Sequence, residues 1–222
     1  MFSGSNSCMP RAPRIDFPSL VYHITSRGVK RLPIYHDDED RHRFLRLLSV
    51  TRHKFPFKLH AYCLMTNHYH LLFQALECSL SKTMQYFNSL FATWLNRKHG
   101  HVGHVFQGRF HSITVETDAY FTTVARYIHL NPVRAGIVER PEEYIWSNFG
   151  RLIRGEPDPL VEPGVLLDFF GRDAESQREK YRRFVEEAIG KNEPVTERIL
   201  QRMRHWGKPP NQLRDALSQQ TL

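Results

Sequence analysis

The alternation of strand-like and helix-like periodicity along residues 19–131 limits the possible folds more than any other feature of the sequence. Polar and apolar residues alternate in four segments, which predicts strands at 19–27, 58–65, 68–74 and 104–116. Apolar residues recur at helical spacing in three others, which predicts helices that begin near 37–40, span 79–98 and span 118–131. This order predicts a ferredoxin-like or RRM-like α+β fold, in which helices cover one face of an antiparallel sheet.

The positive charge of the chain is concentrated in its first part. The net charge is +8, and residues 1–150 contribute 18 Lys and Arg against 11 Asp and Glu, or +7. Residues 151–222 contribute 13 against 12, or +1, and they contain one of the 13 histidines. A basic domain favours a polyanionic partner such as nucleic acid, and an inert basic surface is the alternative.

The sequence divides into three parts. Residues 1–18 are an N-terminal tail, and residues 19–150 hold every predicted strand. Residues 151–222 open with the Pro- and Gly-rich link GEPDPLVEPG, which predicts a linker and a helical C-terminal extension. Helical spacing in this extension occurs in two groups, Tyr181, Phe184, Val185, Ala188 and Ile189, and then Ile199, Leu200 and Met203. The extension either packs on the domain, contacts its partner or mediates dimerisation.

The composition is typical of a cytoplasmic protein. Cys8, Cys63 and Cys78 are too few for a disulfide framework, which favours a reducing compartment. No apolar run approaches the roughly 20 residues that cross a bilayer, so no membrane partner is expected. The N-terminal segment MFSGSNSCMPRAPR lacks the apolar core of a signal peptide.

Two histidines on the third predicted strand form the first candidate site. His68 and His70 are two residues apart, and alternate residues of a strand point to the same face. A pair of imidazoles suits a divalent metal ion. A pair with only a structural role is the alternative, because the domain is rich in histidine.

The helix predicted over 118–131 offers partners for these histidines. Tyr127 and Asn131 are four residues apart and therefore lie on the same helical face. A tyrosine hydroxyl can act as a nucleophile, and an amide oxygen can bind a metal ion. The alternatives are a core tyrosine and an asparagine that caps the helix before Pro132, which is expected to end it.

Four blocks within residues 20–150 resemble, in order and spacing, the single-tyrosine HUH transposases, and above all the REP-associated tyrosine transposases of the IS200-like family. The blocks are AYCLMTNHYHLLF, GHVFQGRFHS, RYIHLNPVRAG and PEEYIWSN, and the opening YHITSRGVKRLPIYHDDEDRHRFL also fits. The resemblance implies the HUH endonuclease fold, with His68 and His70 in the histidine–hydrophobic–histidine motif. It implies Tyr127 as the nucleophile and Asn131 as an amide metal ligand. Thr66 departs from the family pattern, in which a proline is common.

The resemblance also implies an activity and a cofactor. The nucleophile of such an enzyme cleaves single-stranded DNA, becomes linked to the 5′ phosphate and later rejoins the strand. Two imidazole nitrogens and an amide oxygen fit Mg²⁺ or Mn²⁺, and Mn²⁺ tolerates imidazole better. The substrate implied is single-stranded DNA with a palindromic, REP-like hairpin in a bacterial cytoplasm. Both monomers and homodimers are compatible with the sequence.

Five basic residues near the motifs are candidates for phosphate binding, namely Arg27, Lys30, Arg31, Arg109 and Arg134. Each has the alternative of a solvated surface charge.

Two other functions compete with the transposase. A non-catalytic nucleic-acid-binding module would share the RRM-like fold. A histidine-triad nucleotide hydrolase would need a third histidine where Leu72 stands.

Overall fold

Four strands pair in the order β2-β3-β1-β4, and each neighbouring pair is antiparallel. The structure is a computed structural model that describes residues 19–77 and 79–191. The strands are β1 (Val21–Arg27), β2 (Phe57–Met65), β3 (His68–Ala75) and β4 (His111–Val115). This is the order of the split βαβ arrangement, so the predicted α+β fold is confirmed.

The longer helices agree closely with the sequence periodicity, whereas the shorter ones were not predicted. The helices are α1 (Asp38–Lys54), α2 (Leu80–His99), α3 (Asp118–His129), α4 (Asn131–Arg134), α5 (Phe149–Arg154), α6 (Gly164–Leu167) and α7 (Ala174–Glu186). As expected, Pro132 does not continue α3, and the chain restarts as the short helix α4. The short helix predicted around Ile199 and the tail 1–18 lie outside the described residues.

The prediction that helices cover one face of the sheet needs a correction, because they lie on both faces. Phe44 of α1 and Phe87 of α2 pack against Tyr69 of β3. The next residue of β3, His70, points to the opposite face and contacts Tyr127 of α3. The one-face prediction therefore holds for the two helices that connect strands, whereas α3, which follows the last strand, covers the other face.

Three loops meet at the end of the sheet where β1 ends and β3 begins. They are the 3₁₀ turn Val29–Arg31, the hairpin residues 66–67 and residues 101–109. Gly28 N donates to Asn67 O at 2.8 Å, and Val29 N donates to Val105 O at 2.9 Å. These backbone hydrogen bonds join the loops into one surface. Met65 and His68 are the last paired residues of the β2–β3 hairpin. Its turn contains Thr66 at the position where the family commonly has a proline.

Gly28 allows the close approach on which this loop surface depends. A Cβ atom at Gly28 would overlap the carbonyl oxygen of Leu32 and lie 3.0 Å from Cγ2 of Ile34. We expect Gly28→Ala to lower the free energy of unfolding by about 1–3 kcal/mol because the turn must shift. Gly108→Ala is the matched control, since no atom lies within 4 Å of the added Cβ there. Urea unfolding of both variants checks this, and an equal loss in both would contradict it.

Residues 144–162 cover the outer edge of β2. Leu64 N donates to Trp146 O at 2.9 Å, and Glu162 N donates to Leu59 O at 2.9 Å. The side chain of Asn148 accepts from Tyr62 N at 2.8 Å. The end of the PEEYIWSN block and the start of the C-terminal extension therefore cover a sheet edge that would otherwise expose unpaired backbone groups.

Within the described residues, no helix has the length and apolar character that a membrane span requires.

Candidate active site

The sheet face that contacts α3 carries a concentration of histidines. Residues on neighbouring strands that lie opposite each other share a face, and the register pairs Thr25 with His70 and with His111. His68 and His23 lie two residues away on the same face. The histidine surplus of residues 1–150 thus includes a cluster of four: His23, His68, His70 and His111.

His70 is fully buried and is bonded on one side only. Its Nδ1 lies 2.9 Å from Nε2 of His23 in a buried hydrogen bond. Its Nε2 is buried and has no hydrogen-bond partner among the described residues. Burial, helped by the charges of neighbouring groups, lowers the pKa of His70 well below its usual value. The ring is therefore neutral, as a metal ligand must be.

His68 lies beside His70 and is half-buried. The two rings meet edge to face with centroids 4.9 Å apart. Nδ1 of His68 lies 2.7 Å from Oδ1 of Asn67, which accepts a hydrogen bond when that nitrogen carries the proton. Burial first, and then the charge of Arg27, lower the pKa of His68 to about 4. Nε2 of His68 is then left with its lone pair.

Tyr127 reaches this cluster from α3. The helix begins at Thr117, whose hydroxyl accepts from Tyr120 N at 3.2 Å, and its apolar face packs on β2 and β3. The Tyr127 ring meets the rings of both His23 and His70 with centroids 5.7 Å apart. Tyr127 is only 3% exposed. Burial raises its pKa to about 12, although Arg134 acts in the opposite direction.

Asn131 lies four residues beyond Tyr127, but it begins α4 and does not belong to α3, which ends at His129 and not at residue 131 as predicted. Its amide nitrogen donates to the carbonyl oxygen of Tyr127 at 2.8 Å and to that of Ile128 at 3.4 Å. This contact is the helix-capping role that was the structural alternative. It uses only the amide N–H groups, so the amide oxygen remains an acceptor and a possible metal ligand.

Arg134 is placed next to the tyrosine. Its guanidinium lies over the Tyr127 ring, 5.0 Å from the centroid. Nη1 of the same group donates to the carbonyl oxygen of Tyr127 at 3.1 Å. Arg134 is nevertheless exposed to solvent, so an anion can reach it.

The other four predicted DNA-binding residues lie on the loop surface beside His68. Arg27 is directly opposite His68, and its side chain donates to Oε1 of Gln107 at 3.1 Å. Lys30 and Arg31 are exposed and have φ values of 53° and 63°. Arg109 is exposed on the loop before β4. Two consecutive non-glycine residues in the left-handed region cost energy, and such strain is concentrated at functional sites.

The residues present fit a divalent metal ion on the histidine face. The unpartnered Nε2 of buried His70 needs a proton donor or a cation. His68 would supply a second nitrogen and Asn131 an oxygen, which is the ligand set that the family resemblance implies. Two nitrogens and an oxygen suit Mn²⁺ and, less well, Mg²⁺.

A second group with metal-ligand atoms has a different explanation. Atoms of Asp37, Asp40 and His99 lie within 4.8 Å of one another. The ammonium of Lys98 contacts Asp37 at 2.8 Å and Asp40 at 2.9 Å. This group is therefore an ion-pair cluster that joins the start of α1 to the end of α2.

The back of α3 is attached to the C-terminal extension. His129, two residues after Tyr127, is fully buried, and its Nδ1 lies 2.7 Å from the hydroxyl of Tyr181 on α7. Its Nε2 lies 3.0 Å from Oδ1 of Asn148. Arg126 donates to the carbonyl oxygen of Phe184 at 3.1 Å. The described part of the extension thus packs on the helix that carries Tyr127, which was one of its predicted roles.

Sequence reasoning missed His23. The alternation in β1 already placed His23 and Thr25 on one face, but it did not show which face. That assignment depends on the pairing of β1 with β3, which joins residues nearly 50 positions apart.

Comparisons with known proteins identify the family and the fold of the chain. The family model described as "Transposase IS200 like" matches residues 16–131. A solved structure of a REP-associated tyrosine transposase bound to a REP hairpin is similar, with a TM-score of 0.56 and 18% sequence identity. The similarity covers 69% of this chain and 92% of that one. At this identity the similarity shows the fold. No curated protein matches the chain in sequence.

Proposed function

This chain belongs to the IS200-like transposase family, and on that premise we propose that it cuts and rejoins single-stranded DNA through Tyr127 with the help of a divalent metal ion. As a transposase it is an enzyme that acts on DNA. The observation that carries the finer proposal is the contact of the Tyr127 ring with the buried His70, whose Nε2 has no partner among the described residues.

Tyr127 would attack the phosphorus of a phosphodiester. A bond forms between the phenol oxygen and phosphorus, and the bond to the 3′ oxygen breaks. The phenol loses its proton, and the leaving 3′ oxygen takes one up. The products are a 5′-phosphotyrosine and a free 3′ hydroxyl, so the reverse reaction can join strands.

The barrier to this attack comes from charge. A phenol with a pKa near 12 is almost entirely protonated at neutral pH, and the phosphodiester is anionic. The positive charge of Arg134 should lower this barrier in two ways. It favours the deprotonated phenolate of Tyr127, and it attracts the anionic phosphate. A divalent cation, when held by His68, His70 and Asn131, supplies further positive charge at the phosphate.

The loop surface would hold the DNA. Arg27, Lys30, Arg31 and Arg109 lie on or next to the loops at the His68 end of the sheet, where they can bind successive phosphates. The solved relative is bound to a REP hairpin, which supports a hairpin-bearing single strand as the substrate. A bacterial cytoplasmic location follows from such a substrate.

The test is incubation with single-stranded hairpin DNA labelled at its 3′ end and Mn²⁺, followed by a denaturing gel. We expect a protein band that carries the label, that requires the metal ion and that disappears after nuclease treatment. Binding without any adduct, under Mg²⁺ or Mn²⁺, would instead identify a non-catalytic nucleic-acid-binding module.

Arg134→Ala should slow cleavage about 100-fold, which is the usual effect of removing one group that stabilises transition-state charge. Arg134→Lys should recover part of the rate because a positive charge remains. Single-turnover cleavage at saturating protein measures both. Arg109→Ala is the control, and it should weaken binding and its salt dependence with little change in the rate. An Arg134→Ala rate close to wild type would show that Arg134 only binds DNA.

A further inference from the structure

His23, a buried histidine on β1, contacts both His70 and Tyr127. His23 is 1% exposed and lies on β1, diagonally across from His70 on the same face. The two ring planes are nearly parallel, with an interplanar angle of 17° and centroids 5.2 Å apart, so the rings meet edge to edge. His23 Nε2 lies 2.9 Å from His70 Nδ1. This contact fixes the orientation of the His70 ring.

Two neutral imidazoles can share one N–H···N hydrogen bond in two ways. In the first, His70 Nδ1–H donates to His23 Nε2, and His70 Nε2 keeps a bare lone pair. In the second, His23 Nε2–H donates to His70 Nδ1, and the proton of His70 then sits on its Nε2. Each arrangement leaves one buried N–H without a partner among the described residues, at His23 Nδ1 in the first and at His70 Nε2 in the second, so burial does not choose between them and cation binding does. Only the first offers a nitrogen ligand to a cation.

We infer that His23 is a positioning residue that holds the His70 ring in place and accepts its Nδ1–H when His70 Nε2 binds the cation. The inference rests on the proposed function, in which His70 is a metal ligand. Ligating histidines commonly donate their other N–H to a carboxylate or a carbonyl, which fixes both tautomer and ring orientation. Here a neighbouring imidazole on the adjacent strand takes that place.

His60 gives a matched comparison, because it is a buried histidine with a purely structural environment. It is fully buried on β2, and its Nε2 lies 3.2 Å from Oε1 of Gln74. Its ring packs against Phe121 of α3. Its hydrogen bond is to a glutamine, and its ring contact is with an apolar side chain. A general cost of removing a buried histidine should therefore appear equally in His60→Phe and His23→Phe.

The first measurement is the hydrogen bond of the His70 Nδ1–H in the Mg²⁺-loaded protein, read from the ¹⁵N–¹⁵N coupling between the two rings at neutral pH. We expect a coupling between His70 Nδ1 and His23 Nε2 in the wild type and in His60→Phe. In His23→Phe, which has no nitrogen to accept the proton, this coupling should be lost. A wild-type protein with Mg²⁺ bound and no such coupling would overturn the inference.

The second measurement is Mn²⁺ affinity, from the EPR signal of free Mn²⁺. His23→Phe should bind Mn²⁺ about 10–100-fold more weakly than wild type, which is the usual effect of losing such a partner. His23→Gln, which still offers an acceptor, should recover most of the affinity, and His60→Phe should bind as wild type does. Excess Mn²⁺ should restore cleavage by His23→Phe. Unchanged affinity in His23→Phe, or no recovery in His23→Gln, would overturn the inference.

The proposed metal site can fail separately. If His68→Ala binds Mn²⁺ as tightly as the wild type, the metal site itself is wrong, and the role of His23 is overturned with it. If His68→Ala loses Mn²⁺ and His23→Phe does not, the metal site stands and only the positioning role is wrong.

Discussion

A Tyr127→Phe variant is expected to form no covalent adduct with hairpin DNA and to bind that DNA nearly as well as the wild type does. The change removes only the phenol oxygen, so the ring can keep its edge contacts with His23 and His70. Without a nucleophile, strand cleavage should fall by about 10⁴-fold or more. The effect should be confined to chemistry because the contacts of Arg134 with the backbone and the ring do not involve the hydroxyl.

Tyr120→Phe is the matched control, since Tyr120 lies on the same helix, about two turns before Tyr127. It should form the adduct at a nearly normal rate. Denaturing gels measure the adduct, and fluorescence anisotropy of a labelled hairpin measures binding. An adduct that persists in Tyr127→Phe would assign the nucleophile to another residue. A Tyr127→Phe protein that no longer binds the hairpin would show that the hydroxyl has a role in recognition.

Removing His68 should have the second-largest effect. His68 is only half-buried, so His68→Ala should fold, and it leaves one nitrogen and one oxygen where three ligands are proposed. We expect cleavage to fall about 100- to 1000-fold at a fixed, subsaturating Mn²⁺ concentration, because positive charge at the phosphate is lost. Chelation of divalent ions should reduce the wild type to a similar level. Hairpin binding in the absence of metal should change little.

An exposed histidine provides the control for this experiment. His53 lies at the end of α1 on the other side of the sheet, and His53→Ala should cleave at the wild-type rate. Cleavage rates are measured as a function of Mn²⁺ concentration for all three proteins. The metal site would be refuted if His68→Ala cleaved as fast as His53→Ala, or if chelation left the wild-type rate unchanged.

Local periodicity was enough to predict the four strands and the longer helices. Alternation located all four strands, although the fourth was predicted as 104–116 and is limited to His111–Val115. The residues predicted as strand before His111 instead form a loop, which makes backbone hydrogen bonds with the end of β1 and the residues after it. The alternating sequence of this loop gives no sign of that contact. The faces covered by helices could not be read from the pattern either. An amphipathic helix shows that it covers something, and only the packing shows which side of the sheet that is.

The candidate site was predictable to the extent that its members are close in sequence. His68 and His70 share a strand, and Tyr127 and Asn131 share a helical face, so spacing alone paired each couple. Their meeting depends on α3 crossing the sheet, which the family resemblance implied and spacing did not. His23 and the tyrosine on α7 join the site only through contacts between distant parts of the chain.

The hydrogen bond between His129 and Tyr181 limits where the chain can be truncated or fused to another protein. It joins the helix of the proposed nucleophile to a segment that sequence composition assigns to an appendage. A fragment that ends near residue 150, or a chimera that carries a foreign C-terminal segment, would leave a buried imidazole without its hydroxyl partner. The cost is about 1–3 kcal/mol, borne by the element that must hold the tyrosine in place. The C-terminal segment is therefore not a module that can be exchanged freely among relatives, and it must change together with α3.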